Sequence, residues 1–158
     1  SVNEKVSLEV AIGAAYAGSR AFCCMKHVGM NVASDALMTL TLTGVIGGLV
    51  IAIADDVGLS SSQNEQDSRY WGRFAHVPVL EPADSQEAYE MTLYGYELSE
   101  KYQVPVILRM TTRIRRRHRR TATTRVRRVL RVTIRDRSQR HRPTVGARGS
   151  RSSSSWGR

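Results

Sequence analysis

The run from Leu49 to Ala54 has an apolar residue at every position, and this feature restricts the fold more than any other. A strand with one face in water alternates apolar and polar residues, whereas a strand covered on both faces is apolar throughout. Strands of the second kind occur in parallel sheets that carry helices on both sides. The run therefore predicts a central strand of such a sheet.

The rest of the first 112 residues alternates between helical and strand patterns. Apolar residues at helical spacing predict four helices, at residues 3–18, 33–43, 67–74 and 84–102. Asn3 is the predicted N-cap of the first, and Asp84-Ser85-Gln86-Glu87 resembles a capping box at the start of the last. Short apolar runs predict three further strands, at residues 20–25, 77–80 and 104–110. This order predicts an α/β fold with an open, mostly parallel sheet and flanking helices.

In such a sheet ligands bind beyond the carboxyl ends of the strands. Residues 26–31, 55–66 and 111–112 follow predicted strands, and the first two of these segments are predicted to be loops. We therefore expect the three segments to lie along one edge of the sheet and to contain any functional site.

Charge divides the chain into two unlike parts. Residues 1–112 hold 7 basic and 13 acidic residues, a net charge of −6, whereas residues 113–158 hold 17 arginines, no lysine and one acid, Asp136. The basic character of the whole chain, +10, thus comes from the second part alone. We predict two units, a folded domain over residues 1–112 and an Arg/Ser-rich tail over residues 113–158 that is disordered because it has few apolar residues.

The two cysteines, Cys23 and Cys24, are adjacent in a predicted strand, where successive side chains point to opposite faces. We expect no disulfide between them and predict that both are small buried apolar residues in a reducing, cytoplasmic setting. The longest apolar stretch, residues 44–54, is too short to span a bilayer, and no signal peptide is visible. The absence of an initial methionine suggests a piece of a longer polypeptide.

Four ordered blocks of sequence carry a family resemblance. These blocks are Val2-Asn3-Glu4-Lys5-Val6, Met25-Lys26-His27-Val28-Gly29-Met30-Asn31-Val32-Ala33, the segment from Ala54-Asp55-Asp56 to Ser61-Ser62-Gln63-Asn64-Glu65-Gln66-Asp67, and Glu81-Pro82-Ala83-Asp84-Ser85-Gln86-Glu87-Ala88. Their order and spacing over about 110 residues resemble the pyrimidine-binding domain of thiamine-diphosphate-dependent 2-oxoacid:ferredoxin oxidoreductases, most closely the indolepyruvate type of alpha subunit.

The resemblance implies thiamine diphosphate as the cofactor and the oxidative decarboxylation of 2-oxoacids, by default aryl pyruvates such as indolepyruvate. In this family a carboxylate shares a proton with N1′ of the cofactor's aminopyrimidine ring and so promotes removal of the C2 proton. The matching residue is Glu4, which the resemblance makes both catalytic and cofactor-binding. Without the resemblance, Glu4 is better interpreted as a first-turn glutamate that favours the helix dipole, and the resemblance reverses this preference.

The resemblance also places the segment around Lys26 near cofactor and substrate. Lys26 and His27 form a cationic pair that suits a substrate carboxylate, or else belong to a solvated turn in which the histidine bonds locally. Gly29 and Asn31 would let the backbone approach the bound ring.

The loop that follows the second strand borders the active site in this family, and Gln63 is its candidate contact. Asp55 and Asp56 precede this loop. Carboxylates at a strand end suit a metal or a phosphoacceptor, but we expect these two to cap turns and organise residues 60–66. No metal ligand is predicted within the domain.

The other half of such an active site is implied to lie outside this segment. Mg²⁺ and [4Fe-4S] clusters, the remaining domains of the alpha subunit, a beta subunit, ferredoxin and CoA would all belong to the complete enzyme. We therefore expect the isolated chain to be inactive and to bind thiamine diphosphate weakly. The alternatives are a nucleic-acid-binding protein acting through its arginines and a non-catalytic remnant of the thiamine fold.

The resemblance stops within a residue or two of Arg113, where the arginine-rich composition begins. Functional basic arms generally use lysine as well as arginine, whereas a shifted reading frame in GC-rich DNA favours arginine, serine, threonine and glycine codons. We predict that residues 113–158 arise from such a frameshift, the alternative being a genuine disordered arm. Reading the nucleotides after the Thr112 codon in the other two frames tests this.

Overall fold

A computed structural model describes residues 2–112. Its elements, in chain order, are α1 (Glu4–Tyr16), β1 (Ala21–Lys26), α2 (His27–Thr43), β2 (Leu49–Asp55), α3 (Arg69–Ala75), β3 (Val79–Leu80), α4 (Ser85–Tyr102) and β4 (Val106–Thr111). In this part of the chain the strands form one four-stranded sheet in the order β1-β2-β4-β3, with every neighbouring pair parallel. The predicted α/β fold is confirmed. The predicted Arg/Ser-rich tail, including its order or disorder, lies outside the described residues.

The register brings the carboxyl ends of the strands to one edge. Lys26 of β1 is paired with Ala54 of β2, and Asp55 of β2 is paired with Thr111 of β4. The segments that follow these strands therefore meet at the same edge, as the sequence predicts. We call this the carboxyl edge.

Helices cover the two faces of the sheet unequally. Helices α1, α2 and α3 pack on one face around the larger core, which includes Leu8, Leu37 and Ile51. Helix α4 packs on the other face over Val50, Leu108 and their neighbours in β2, β3 and β4. Strand β2 is buried on both faces through Ile53, which confirms the interpretation of its apolar run.

Two helix starts follow the predicted capping chemistry. The Asn3 side chain accepts a hydrogen bond from the Val6 amide at 3.0 Å, and Asp84 accepts one from the Glu87 amide at 2.9 Å. Each satisfies a backbone donor that the first turn of a helix leaves free. The Glu87 carboxylate in turn accepts from the Ala83 amide at 2.6 Å, so α4 begins with a reciprocal cap.

The prediction of a loop at residues 26–31 is wrong. Helix α2 begins at His27, directly after β1, with Lys26 in extended conformation as its N-cap. Gly29, which suggested a turn, is a buried residue of the helix, and its lack of a Cβ makes room for a side chain of α1. The predicted strand at 77–80 is also shorter, because the Val77 amide bonds to the Gly72 carbonyl at the end of α3.

The prediction that both cysteines are buried is half wrong. Cys23 is buried and Cys24 is exposed, and both are free thiols. Cys24 and Phe22 lie on the face of β1 that is on the same side as α4, but α4 contacts β2, β3 and β4 instead. Successive side chains of β1 point to opposite faces as predicted, but only one of the two faces is covered by helices.

Candidate active site

Helix α1 brings Glu4 to the carboxyl edge. Helix α1 ends near the start of β1, so it runs antiparallel to that strand and begins at the carboxyl edge. Its first turn therefore lies beside the first turn of α2. There the half-buried Glu4 side chain packs against the backbone of Gly29. A Cβ at position 29 would lie 2.9 Å from both Cδ and Oε1 of Glu4, closer than side-chain carbons approach other atoms. A glycine at this position therefore leaves space that the carboxylate of Glu4 uses.

Lys26 and His27 are adjacent but face different partners. The exposed Lys26 ammonium donates to the Ser61 carbonyl at 3.2 Å and lies 3.5 Å from the Ser61 hydroxyl. His27 is fully buried. Its Nε2 lies 3.0 Å from the Asn64 carbonyl oxygen, and its Nδ1 lies 3.4 Å from the Ala54 carbonyl oxygen. Both residues thus contact the loop after β2, and the His27 ring is turned away from solvent.

Asp56 folds the beginning of that loop. Its carboxylate accepts hydrogen bonds from the backbone amides of Ser61, at 2.7 Å, and Ser60, at 3.2 Å. The Ser61 amide, more than any other group, holds the pKa of Asp56 below its ordinary value, and the Lys26 charge adds to the effect. Asp56 therefore organises the turn as the sequence predicts, in its ionised form.

Asp55 lies deeper and closes the other end of the loop. Its carboxylate accepts from the Ser68 amide at 3.0 Å and from the Ser68 hydroxyl, and it pairs with Arg109 of β4 at 2.6 Å. Arg109 also contacts Glu81 at 2.5 Å. Asp55 and Arg109 are both nearly inaccessible to solvent, so each charge depends on the other.

Sequence reasoning missed Arg109, Ser68 and Glu81. One signal was available for Arg109, since a single cation in the apolar run of β4 needs a buried partner. Nothing in the local sequence indicates which carboxylate that partner is, because Asp55 is 54 residues away. The pairing depends on β2 and β4 being neighbours.

The remaining candidates, Gly29, Asn31 and Gln63, lie at the same edge in different settings. Gly29 is buried beneath Glu4, Asn31 is exposed on α2, and Gln63 is exposed in the loop after β2. Glu4, Gly29, Lys26 and His27 thus lie together around the first turn of α2. Asp55 and Asp56 fasten the loop that contains Gln63. Among residues 2–112, no group of three or more His, Cys, Asp or Glu is arranged to hold a metal ion.

Comparison with known proteins assigns the chain to a family. Residues 2–148 match the sequence profile described as pyruvate flavodoxin/ferredoxin oxidoreductase, thiamine-diphosphate-binding. The chain belongs to this family. The resemblance inferred from four sequence blocks is therefore confirmed. The profile match extends past Arg113, where we expected the resemblance to stop.

Curated relatives are similar over most of the domain. The chain is 55% identical over 114 residues to the indolepyruvate oxidoreductase subunit IorA of Methanothermobacter marburgensis, and 57% identical over 113 residues to those of Pyrococcus abyssi and Thermococcus kodakarensis. Each match includes 72% of this chain. The chain spans only 17–18% of the length of these relatives.

A solved structure has the same fold. The chain resembles a 2-oxoglutarate:ferredoxin oxidoreductase from Magnetococcus marinus with a TM-score of 0.63 and 22% identity, over 72% of this chain and 21% of that one.

In the described part of the chain, no helix is both long enough and apolar enough to cross a membrane.

Proposed function

We propose that residues 2–112 form the pyrimidine-side half of the active site of a thiamine-diphosphate-dependent 2-oxoacid:ferredoxin oxidoreductase. The observation that carries the proposal is the Glu4 carboxylate at the carboxyl edge, packed over Gly29 in a space that any side chain at position 29 would fill. A half-buried carboxylate that packs against backbone and is still partly exposed suits a planar nitrogen heterocycle. The residues present therefore fit the aminopyrimidine of the cofactor.

Glu4 has one chemical task in this proposal. Its carboxyl group exchanges a proton with N1′ of the aminopyrimidine, and the backbone of Gly29 restricts where the carboxyl group can lie. When bound, thiamine diphosphate supplies the nucleophilic carbon that attacks the 2-oxoacid. This chain supplies the proton-transfer group and holds it in position.

The substrate side of the proposal involves the loop after β2. Lys26, Asp56 and His27 fasten this loop at the carboxyl edge, and Gln63 and Asn31 are exposed nearby as candidate contacts. Relatives at 51–57% identity are named indolepyruvate oxidoreductase subunits. We infer from these names that the substrate is an aryl pyruvate.

The rest of the enzyme lies outside these residues. Because the chain spans 17–18% of the length of its relatives, we assign the diphosphate and Mg²⁺ site, the [4Fe-4S] clusters and the contacts with CoA and ferredoxin to the remaining domains and to a beta subunit. The free thiols of Cys23 and Cys24 are consistent with work in a reducing cytoplasm.

The experiment is a graft. Residues 2–112 replace the matching segment of the Thermococcus kodakarensis subunit, and 2-oxoacid-dependent ferredoxin reduction is measured for the graft and its Glu4→Gln variant. We expect the graft to be active and the variant to lose on the order of 10²-fold or more, the usual effect of removing a positioned acid–base group. Glu9→Gln, at an exposed site on the same helix, is the matched control and should leave the rate unchanged.

Two results would contradict the proposal. Wild-type turnover in Glu4→Gln would show that Glu4 is not the proton-transfer group. A folded but inactive graft would support the alternative that this segment is a non-catalytic remnant of the thiamine fold. Thermal unfolding of each purified protein distinguishes inactivity from misfolding.

A further inference from the structure

We infer that His27 is a positioning residue, which holds the middle of the loop after β2 in place relative to Glu4. The effect of His27 on substrate binding rests on the proposed function, whereas its effect on the loop rests only on its own hydrogen bonds. The loop comprises residues 57–67, the long connection between β2 and α3.

The hydrogen bonds of His27 are internal. It is the first residue of α2, its side chain is fully buried, and both ring nitrogens face backbone carbonyls, those of Asn64 and Ala54. In this setting the imidazole is enclosed by protein. It can fix the backbone that approaches it, and Asn64 lies in the middle of the loop.

For a neutral His27 ring, the two distances favour one position of the ring proton. A neutral imidazole carries one N–H and one lone pair, and only one of the two carbonyls can accept from it. The Asn64 carbonyl is 3.0 Å from Nε2, whereas the Ala54 carbonyl is 3.4 Å from Nδ1. The Nε2–H tautomer therefore makes the better bond, and that bond connects α2 to the loop.

The ends of the loop have other attachments. Near its start, Asp56 binds the amides of Ser60 and Ser61 while Lys26 binds the Ser61 carbonyl. Just after its end, Ser68 binds Asp55. The main chain of Asn64, next to the exposed Gln63, is fastened by His27.

The same helical turn holds Glu4. Gly29, two residues after His27, is the backbone against which the Glu4 carboxylate packs. One turn of α2 therefore contacts both the proton-transfer group and the loop, and the His27–Asn64 bond attaches to that turn the backbone next to Gln63. Loss of this bond would loosen the loop while Glu4 keeps its contact with Gly29.

Two substitutions distinguish the role of Nε2 from that of Nδ1. In His27→Gln the amide nitrogen takes roughly the place of Nε2 and can still donate to Asn64. In His27→Asn the shorter amide reaches only the position of Nδ1. Hydrogen exchange in the full chain should show faster exchange across residues 60–67 in His27→Asn, near wild-type exchange in His27→Gln, and an unchanged β2 in both.

The grafted enzyme gives the functional readout. We expect His27→Asn to raise KM for the 2-oxoacid about tenfold, the scale of one buried hydrogen bond, with kcat within about twofold of the parent. His27→Gln should restore KM. Equal exchange and equal KM in His27→Asn and the parent, or a fall in kcat with unchanged KM, would overturn the inference.

A measurement on the unmodified chain covers the case in which His27→Asn does not fold. The ¹⁵N chemical shifts of the His27 ring should report the Nε2–H tautomer, and the Nδ1–H tautomer would contradict the inference. The exchange and ¹⁵N results do not involve thiamine chemistry. Failure of the proposed function, seen as an active Glu4→Gln graft, is therefore distinguishable from failure of the positioning role.

Discussion

The carboxylate of Glu4 occupies the space that a side chain at position 29 would need, since a Cβ there would lie 2.9 Å from its Oε1. The two residues are 25 positions apart and belong to different helices. Their contact joins the first turns of α1 and α2 at the carboxyl edge. The position of the proposed proton-transfer group thus depends on a residue that has no side chain.

Gly29→Ala tests this dependence. The added methyl group should push the Glu4 side chain out of its place, because a Cβ at this position would lie only 2.4 Å from Cγ of Glu4. In the grafted enzyme we expect kcat to fall on the order of 10-fold or more, the scale of a small misplacement of a catalytic group. Steady-state kinetics and thermal unfolding together check this.

Gly13→Ala is the matched control. A Cβ at Gly13 of α1 meets no atom within 4 Å, so the alanine should stabilise the helix by about 0.5–1 kcal/mol and leave kcat unchanged. Equal activity of the two alanine variants would show that Gly29 does not position Glu4.

Arg109→Met should destabilise the domain strongly. The methionine leaves Asp55 buried without its ion pair, and breaking such a pair costs about 3–5 kcal/mol. Lys5→Met removes an ion pair with Asp35 in which both side chains are exposed, and this change should cost less than about 1 kcal/mol. Urea unfolding of both variants measures the difference, and similar costs would mean that the Asp55–Arg109 pair is not buried in solution.

Acid should loosen the beginning of the loop after β2. The folded-state pKa of Asp56 lies below its ordinary value of 3.8, so its ionised form is favoured by folding. The resulting stabilisation is complete above about pH 4 and is lost as the pH falls through the folded-state pKa. The amide resonances of Ser60 and Ser61 should shift over that lower range, and in Asp56→Asn they should show no such transition. A transition that persists in Asp56→Asn would assign the effect to another group.

The two thiols should differ in reactivity. Burial raises the pKa of Cys23, whose sulfur lies 3.4 Å from the Ser7 hydroxyl, whereas Cys24 is exposed. Iodoacetamide at pH 8 should therefore label one thiol of the native chain quickly, and fragmentation of the tryptic peptide containing both residues should locate the label on Cys24. In Cys24→Ser the fast reaction should vanish, and rapid labelling of native Cys23 would contradict the burial.

Local patterns were sufficient for most of the fold. The apolar run of β2, the Asn3 and Asp84 caps and the alternation of strands and helices follow from backbone hydrogen bonding and from the burial of one face or both, which neighbouring residues determine. The same patterns predicted that residues after β1, β2 and β4 meet at one edge, because parallel strands end together. Four sequence blocks were enough to identify the family, and the profile match confirms them.

Contacts between distant residues were decided only by the tertiary structure. Gly29 suggested a turn in the sequence, but it lies in the first turn of α2, where Glu4 of α1 packs against it. Asp55 and Arg109 became partners because β2 and β4 are adjacent, and Cys24 is exposed because α4 covers the other strands. A residue's own sequence neighbourhood determines its backbone preference and its periodicity, but burial, pairing and close approach depend on which elements pack together.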